Sequence, residues 1–469
     1  MTVQLQQNRS VELIKQRISH PIIDSDAHII EYLPDVKARL RRLAGPAVAN
    51  RLDRIYSNLE NATRLPIAVR RSLGMARAPW WNYPAANALD RATASLPRLL
   101  HRRLDEFGID VAVVYPSYFI QFPTSDDEEF RRAGCRATNQ HLADTFADVG
   151  DRLIPVGAIP MHTPDEALAE MQYLVEDLGM RAVVLPGSVV RRDEVTNHVW
   201  LDTFGLDSEF DYDPVWKYLE EHGLAATFHS AGMGWGSRAS VTNYMHNHVG
   251  HFAAAGEAIL RSLLFSGVPN RFPTLRFAFL EGGASWAASL FNDFSGHFAK
   301  RRATAIGHFD PRHLDIEVVR SLFIEFGTNC VLEAMAEFDG SLAPLSQQVS
   351  SPSDDFARSG FESSEEIRKV FEDQMFFGCE ADDRMNIVGS EQWTGAIGAR
   401  IRTILGSDIG HWDVADCRMI LSEAYEMVEA GCISHEDFEA MTYHNPVSLW
   451  TGNCPDFFRG TALEGERGG

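Results

Sequence analysis

The sequence predicts an α/β protein, a (β/α)8 TIM barrel with two large insertions on its C-terminal face. Eight short apolar runs of strand length recur along the 469 residues. Amphipathic segments separate them, for example Pro164 to Leu178 and Pro214 to His222. Strands that alternate with helices form parallel sheets, and eight repeats favour closure into a barrel. An open doubly wound sheet is the alternative, but no glycine-rich phosphate loop follows the first strand.

The predicted strands are Pro21–Ile23 leading into Asp24–His28, then Ile109–Tyr115, Arg152–Ile159, Ala182–Gly187, Leu224–His229, Leu275–Glu281, Met375–Cys379 and Arg402–Asp408. Two connections, about 31–97 and 299–371, are longer than ordinary βα loops. The first contains the aromatic run Ala78–Pro84, and the second contains the polar run Gln347–Asp355, which is typical of a flexible loop. Both follow strand ends on the C-terminal face, so we expect one barrel domain over 1–469 whose insertions form a lid or pocket walls.

The composition limits the partners. The formal net charge of −22 argues against nucleic acid and anionic membranes, because no positive field attracts phosphates. The six cysteines form no CxxC pair, which is typical of reduced thiols, and the N-terminal residues contain no apolar signal-peptide core. We therefore expect a cytoplasmic enzyme that acts on a small molecule, and we expect a homo-oligomer.

Polar side chains cluster at the end of the first strand. Because residues two apart share one face of a strand, Asp24, Asp26 and His28 are predicted to point the same way, opposite Ile23 and Ala27. Buried carboxylate and imidazole groups need a compensating partner, and a metal ion supplies one. A hydrogen-bonded strand end is the alternative for this spacing alone.

Ionisable residues end three further predicted strands. His229 ends the fifth, Glu281 the sixth and Asp408 the eighth. The carboxyl ends of barrel strands meet at one face, so these side chains are expected to converge with Asp26 and His28. This convergence favours a metal site over isolated core histidines.

A histidine cluster, His246 to His251, follows the fifth strand. If this segment is helical, His248 and His251 are neighbours one turn apart and can share a ligand. A loop of hydrogen-bonding histidines is the other reading. If His248, His251 and Glu281 all reach the centre, the ligands suffice for two ions.

In combination, these motifs resemble the amidohydrolase superfamily, in particular the amidohydrolase-2 branch of aminocarboxymuconate-semialdehyde decarboxylase-like enzymes. The matching segments are Ile23–His28, Arg152–Val156, Phe272–Gly283, Leu405–Asp408 and Asn445–Trp450. The resemblance implies that Asp26, His28 and His229 are metal ligands and that Asp408 is the acid/base at the metal. Glu281 stands where many relatives have a histidine, and the fourth strand, Ala182–Gly187, lacks the lysine of some binuclear relatives.

Three reactions fit this resemblance. The first is hydrolysis of an amide, ester, lactone or thioester by metal-activated water, with Asp408, Glu281 and His229 as catalytic residues. The second is non-oxidative decarboxylation. The third is oxygenation of a bulky substrate such as an acyl-CoA, because the chain also resembles the amidohydrolase-fold di-iron monooxygenase of platensimycin biosynthesis. The expected cofactor is one or two divalent ions of zinc, manganese or iron, with His248 and His251 as additional candidate ligands.

Overall fold

All eight predicted strands are present in the computed structural model, which describes residues 8–78, 86–230, 236–341 and 354–465. The strands are β1 (Ile23–Ile29), β2 (Val111–Pro116), β3 (Leu153–Pro155), β4 (Gly157–Ala158), β5 (Val183–Pro186), β6 (Val189–Arg192), β7 (Val199–Asp202), β8 (Ala226–His229), β9 (Phe277–Phe279), β10 (Met375–Glu380) and β11 (Arg402–Gly406). Strands β6 and β7 form an antiparallel hairpin outside the barrel.

The remaining strands pair in parallel around a barrel. The third predicted strand is divided at Val156 into β3, which pairs with β2, and β4, which pairs with β5. Val156 joins the two sheets, because its N–H donates to the Val114 carbonyl at 2.9 Å. The chain after β11 closes the barrel on β1, where the Asp408 N–H donates to the Asp26 carbonyl at 3.0 Å. The predicted fold is thereby confirmed.

Helices follow the strands and surround the barrel. Their bounds are Arg9–Lys15, Leu33–Ala49 (broken at Gly45), Arg51–Arg64, Ile67–Ser72, Ala88–Thr93, Pro97–Phe107, Glu128–Phe146, Pro164–Glu176, Asp213–Glu221, Tyr244–His248, His251–Ser266, Val268–Arg271, Ser285–Arg301, Ile316–Phe326, Asn329–Glu333, Ser364–Gln374, Glu391–Ile397, Ile420–Glu429, His435–Glu439 and Asn445–Thr451. Within the described residues, none of these helices is long and apolar enough to cross a membrane.

The C-terminal segment covers the end of the barrel opposite the carboxyl ends of the strands. Trp450 and Phe457 pack in the same buried cluster as the interior residues Val113 and Ile404. The Ala462 N–H donates to the carbonyl of Asp151, just before β3, at 2.8 Å. Apolar packing thus closes this end, and polar side chains are left to the carboxyl ends of the strands.

The first strand does not alternate strictly. Its register against β2 shifts between Asp24 and Ala27, so Ile23 packs inside the barrel whereas Ala27 packs against the surrounding helices. The Asp24 carboxylate binds backbone groups. Its Oδ1 accepts hydrogen bonds from the Asp26 N–H at 3.1 Å and the Ser407 N–H at 3.0 Å. The prediction that Asp24, Asp26 and His28 form one equivalent row was wrong, since a bulge interrupts the two-residue period.

The first long connection is tied to the segment after β8. The Arg77 N–H donates to the Ser240 carbonyl at 2.8 Å, and the Asn247 side chain donates to the Arg77 carbonyl at 3.4 Å. The greater part of the aromatic run Ala78–Pro84 and of the polar run Gln347–Asp355 lies outside the described residues. The lid role of the two insertions stays a prediction.

Gly406 leaves room for the neighbouring strand β1. A Cβ at this position would lie 2.8 Å from the Cβ of Asp26. We expect Gly406→Ala to lower the free energy of unfolding by about 1–3 kcal/mol, because overpacking displaces the neighbouring strand. Chemical denaturation measures this change. Gly296→Ala is the control, since a Cβ there meets open space on a helix, and equal stability of the two variants would contradict the close contact.

Candidate metal centre

Five of the predicted site residues converge at the carboxyl ends of the strands. His28 Nε2 lies 3.4 Å from Asp26 Oδ1 and 3.5 Å from Asp408 Oδ1. The rings of His28 and His229 lie 5.1 Å apart, edge to face. His229 Nε2 lies 2.8 Å from Glu281 Oε2. The convergence inferred from the strand ends is therefore present in the structure.

Backbone conformation helps to aim two of the carboxylates. Glu281 and Asp408 each come two residues after a strand, and their φ angles are +58° and +52°. Non-glycine residues pay about 1 kcal/mol or more for this left-handed region. Such strain persists where the surrounding structure holds it and is frequent at functional sites. At both positions the left-handed residue turns the chain out of the barrel strand at the cluster.

Polar atoms of the types that bind metals form three groups, and His28, Glu281 and Asp408 each belong to two of them. Within each group one such atom per residue lies within 4.8 Å of the others. The groups are Asp26, His28 and His229; His28, Glu281, Asp408 and His411; and Glu281, Glu380, Asp408 and Asp413. The first and third groups share no residue. Mixed imidazole and carboxylate ligation suits zinc, manganese and iron.

Several of these atoms are buried without a hydrogen-bond partner. Within the described part of the chain they are Asp26 Oδ1, His28 Nδ1 and Nε2, His229 Nε2, Glu281 Oε2, and Asp408 Oδ1 and Oδ2. Unsatisfied buried polar atoms are costly, so their concentration at one point fits a bound cation. A divalent cation is the cofactor that this donor set accommodates.

His229 is oriented by its own neighbour. Its Nδ1 lies 3.3 Å from the Ser230 carbonyl, which therefore accepts the Nδ1–H hydrogen bond. That arrangement leaves the lone pair of Nε2 facing Glu281 and Asp26. Such a fixed tautomer is the usual state of a metal-binding histidine.

Three residues of the cluster were missed by the sequence analysis. Glu380 ends β10, one residue beyond the strand end that the sequence predicted. His411 and Asp413 follow Asp408, and His411 Nδ1 contacts Asp408 Oδ1. The rule that singled out the other strand ends would have found Glu380, and the spacing of His411 from Asp408 was a further available signal.

His248 and His251 lie outside the three ligand groups. His248 ends one short helix and His251 begins the next, because Gly250 between them has φ +71°. The condition under which His248 and His251 would be neighbours on one helix is therefore not met. His251 Nε2 lies 2.8 Å from the Ser230 hydroxyl, and His248 Nδ1 lies 3.4 Å from the Tyr244 hydroxyl. Their role as metal ligands stays a prediction.

A cavity of about 270 Å³ opens beside the cluster. Its lining combines acidic, imidazole and apolar groups with glycine backbone: His248, Val249, Gly250, His251, Phe252, Ala253, Glu281, Gly282, Gly283, Glu380 and Asp383. The lining among the described residues therefore contains three carboxylates and no lysine or arginine.

A sequence profile of the amidohydrolase family matches residues 23–332, which is about two thirds of the chain and includes Asp26, His28, His229 and Glu281. The chain belongs to the amidohydrolase family. This membership makes it an enzyme and agrees with the resemblance seen in the strand-end motifs.

Solved structures agree with the fold of this amidohydrolase. An amidohydrolase of Mycobacterium avium subsp. paratuberculosis K-10 is 15% identical, covers 92% of this chain and 98% of its own, and superposes with a TM-score of 0.53. The 2,6-dihydroxybenzoate decarboxylase of Rhizobium is 14% identical over 92% and 99% of the chains, with a TM-score of 0.48. A dihydroxybenzoic acid decarboxylase of Polaromonas sp. JS666 with bound manganese is 14% identical over 94% and 100%, with a TM-score of 0.48. The inference about fold rests on the first of these.

Burial raises the pKa values of carboxyl groups in the cluster and lowers the pKa of the His411 imidazole. Burial, together with the nearby Glu281, raises the pKa of Glu380 to about 9. Burial also raises the pKa of Asp26 and Asp408 well above the ordinary range. The pKa of His411, by contrast, is lowered by burial to about 4. In the absence of metal the cluster thus favours neutral carboxyls and neutral imidazoles.

These shifts predict how pH affects the metal-free protein. A carboxyl whose pKa is raised on folding keeps its proton in the fold, so the associated stability is complete below the unfolded pKa and is lost as pH rises through the folded value. Histidines of the unfolded chain are largely neutral above about pH 7 and contribute little there. We therefore expect the melting temperature of the metal-free protein to fall between about pH 7 and about pH 9, because Glu380 keeps its proton in the fold up to about pH 9 whereas the unfolded chain has already released it.

Differential scanning calorimetry across this range tests the prediction. Glu380→Gln should reduce the pH dependence, whereas the exposed Glu194→Gln should leave it unchanged. Saturation with a divalent cation should remove the trend, because bound carboxylates are ionised at every pH in the window. A flat profile for the metal-free wild type would contradict the raised pKa values.

Proposed function

We propose that this amidohydrolase is a hydrolase that uses two divalent cations to cleave an uncharged carboxylic acid derivative. The observation that carries the proposal is the pair of separate ligand groups, Asp26, His28 and His229 on one side and Glu281, Glu380, Asp408 and Asp413 on the other. Two cations about 3.5–4 Å apart are the usual arrangement of binuclear hydrolytic sites.

Charge supports two cations over one. Asp26, Glu281, Glu380, Asp408 and Asp413 carry five negative charges when ionised, and no lysine or arginine of the described residues forms an ion pair with them. A single divalent ion would leave three charges uncompensated in a buried cluster. Two divalent ions leave one negative charge uncompensated, which is compatible with a site that binds neutral substrates.

The chain's own residues supply the proton path. A bound divalent cation lowers the pKa of water towards about 7 and polarises a substrate carbonyl. Asp408 would accept the proton of the attacking water, since its carboxylate is buried within the cluster, 3.5 Å from His28 Nε2. His411 contacts Asp408 through Nδ1 and lies 3.2 Å from the Ser117 hydroxyl through Nε2, so it can orient Asp408 and relay the proton onward.

The cavity lining favours an uncharged substrate. Glu281, Glu380 and Asp383 line the space beside the cluster, together with the apolar side chains of Val249 and Phe252. An amide, ester or lactone meets no electrostatic penalty there. A substrate with a free carboxylate that does not bind the metals would lie next to the carboxylates of the lining. The described lining residues include no lysine or arginine to compensate that negative charge.

Decarboxylation is the main competing reaction, because the cations themselves can bind a substrate carboxylate and the amidohydrolase-2 resemblance implies this activity as well. Oxygenation is the third, since a site with several carboxylates and imidazoles also suits two irons. The reactions differ in products: hydrolysis incorporates one oxygen from water, decarboxylation releases carbon dioxide, and oxygenation consumes dioxygen.

A substrate screen in isotope-labelled water tests the proposal. Panels of esters, lactones and amides, of aromatic acids, and of acyl thioesters are incubated with the metal-loaded enzyme, and products are analysed by mass spectrometry. Label from water in the acid product supports hydrolysis. Carbon dioxide release without label incorporation, or oxygen uptake with the thioesters, would overturn it.

The role of Asp408 is testable with the substrate so identified. We expect Asp408→Asn to lower kcat by about 10³-fold or more while the protein stays folded, because the variant cannot accept a proton. Asp144→Asn, at an exposed carboxylate paired with Arg39, is the control and should retain full activity. Activity of Asp408→Asn within about tenfold of the wild type would contradict the assignment.

A further inference from the structure

A tyrosine extends from β2 into the barrel interior beside the metal centre. Tyr115 is fully buried and packs in the interior cluster together with Val113. It lies opposite His28 in the register of β1 and β2, and the two rings are 6.0 Å apart. We call Asp26, His28 and His229 the first ligand group. Tyr115 adjoins this group, and none of the steps proposed above uses it.

The hydroxyl group of Tyr115 is buried and has no partner in hydrogen-bonding geometry among the described residues. A buried hydroxyl without a partner costs free energy that the ring of a phenylalanine would not. Buried tyrosines usually direct the hydroxyl to a partner. An acceptor that forms only when the metal centre is occupied would account for a tyrosine at this position.

Three acceptors lie near the Tyr115 hydroxyl. Burial raises the pKa of Tyr115 well above its ordinary value, and the Asp26 carboxylate contributes the next largest increase, whereas the increase from Asp24 is small. The Thr227 hydroxyl lowers this pKa, and it gives its own hydrogen to the Val183 carbonyl at 2.6 Å. Because an ionised carboxylate accepts hydrogen bonds roughly twice as strong as those of neutral groups, Asp26 is a better acceptor than Thr227 once it is ionised.

A cation at the first ligand group prepares Asp26 for this hydrogen bond. A carboxylate must be ionised to bind a metal ion. It then has two oxygens with lone pairs, so one oxygen can bind the cation while the other accepts a hydrogen bond. Carboxylates that bind metal ions are commonly held by such a hydrogen bond. Tyr115 supplies a donor at this place, since a phenol keeps its proton below about pH 10.

We propose that Tyr115 is a positioning residue for the cation of the first ligand group. Its hydroxyl donates a hydrogen bond to the ionised Asp26 carboxylate and fixes the orientation in which Asp26 binds the cation. This role rests on the cation sites of the proposed function, but it does not depend on the reaction that they catalyse. Asp26 does not belong to the ligand group that contains Glu380 and Asp413, so the effect of Tyr115 is expected at one cation only.

Titration of the metal-free, full-length protein with Mn²⁺ in a calorimeter tests the proposal. We expect two binding steps for the wild type. Tyr115→Phe should raise the dissociation constant of one step by about 10–100-fold and leave the other within about twofold, since losing the hydrogen-bond partner of a metal ligand weakens binding to this extent. Tyr218→Phe is the matched control and should change neither step. The Tyr218 hydroxyl is also buried without a partner among the described residues, but it lies on the helix Asp213–Glu221 outside the barrel.

Thermal unfolding separates this role from a structural one. In the metal-free protein Tyr115→Phe removes a hydroxyl that has no acceptor, so the melting temperature should stay equal or rise. At the same Mn²⁺ concentration the melting temperature of the variant should lie below that of the wild type, because a more weakly bound ion stabilises the fold less. A structural role of the hydroxyl would lower the melting temperature in both states.

Unchanged Mn²⁺ affinity of Tyr115→Phe at every step would overturn the proposal and would leave Thr227 as the acceptor of the Tyr115 hydroxyl. A wild type that saturates at a single Mn²⁺ would contradict the two-cation site of the proposed function. The role of Tyr115 is then decided by whether Tyr115→Phe weakens the binding of that single ion. A wild type that binds no Mn²⁺ would contradict both.

Discussion

Five carboxylates meet three imidazoles at one end of this barrel, and no lysine or arginine of the described residues pairs with any of them. Without cations the cluster can be buried only if most of its carboxyls keep their protons, as the raised pKa of Glu380 indicates. In the proposed two-cation site the same carboxylates would serve as ligands. The need to compensate buried negative charge therefore links the stability of the barrel to its chemistry.

The scaffold supports the cluster from several directions. The Asp24 carboxylate binds the backbone of β1 to the chain after β11, and the Ser230 carbonyl fixes the ring of His229. Glu281 and Asp408 adopt left-handed backbone conformations just beyond their strands. The opposite end of the barrel is filled by apolar packing around Trp450. Strain and polar burial are thus concentrated where the chemistry takes place, and the remainder of the core is apolar.

The strand order and the convergence of the central polar side chains could be predicted because both follow from periodicity. Apolar runs mark the strands, and the last polar residue of each run marks the face where Asp26, His28, His229, Glu281 and Asp408 meet. Features that depend on irregular backbone could not be predicted from periodicity. The bulge after Asp24 and the break at Gly250 change which side chains share a face, and neither leaves a clear signal in residue spacing. Glu380 was missed by a single residue at a strand boundary, which is the least certain feature of any sequence-based assignment.

The metal content of the purified chain distinguishes a site for two cations from a site for one. Elemental analysis of protein prepared without added metal, and again after saturation and removal of loosely bound ions, counts the cations that the cluster holds. We expect about two divalent cations per chain, one for each of the two separate ligand groups. Saturation at a single cation per chain would contradict the two-cation site. In that case the carboxyl groups around Glu380 would keep their protons.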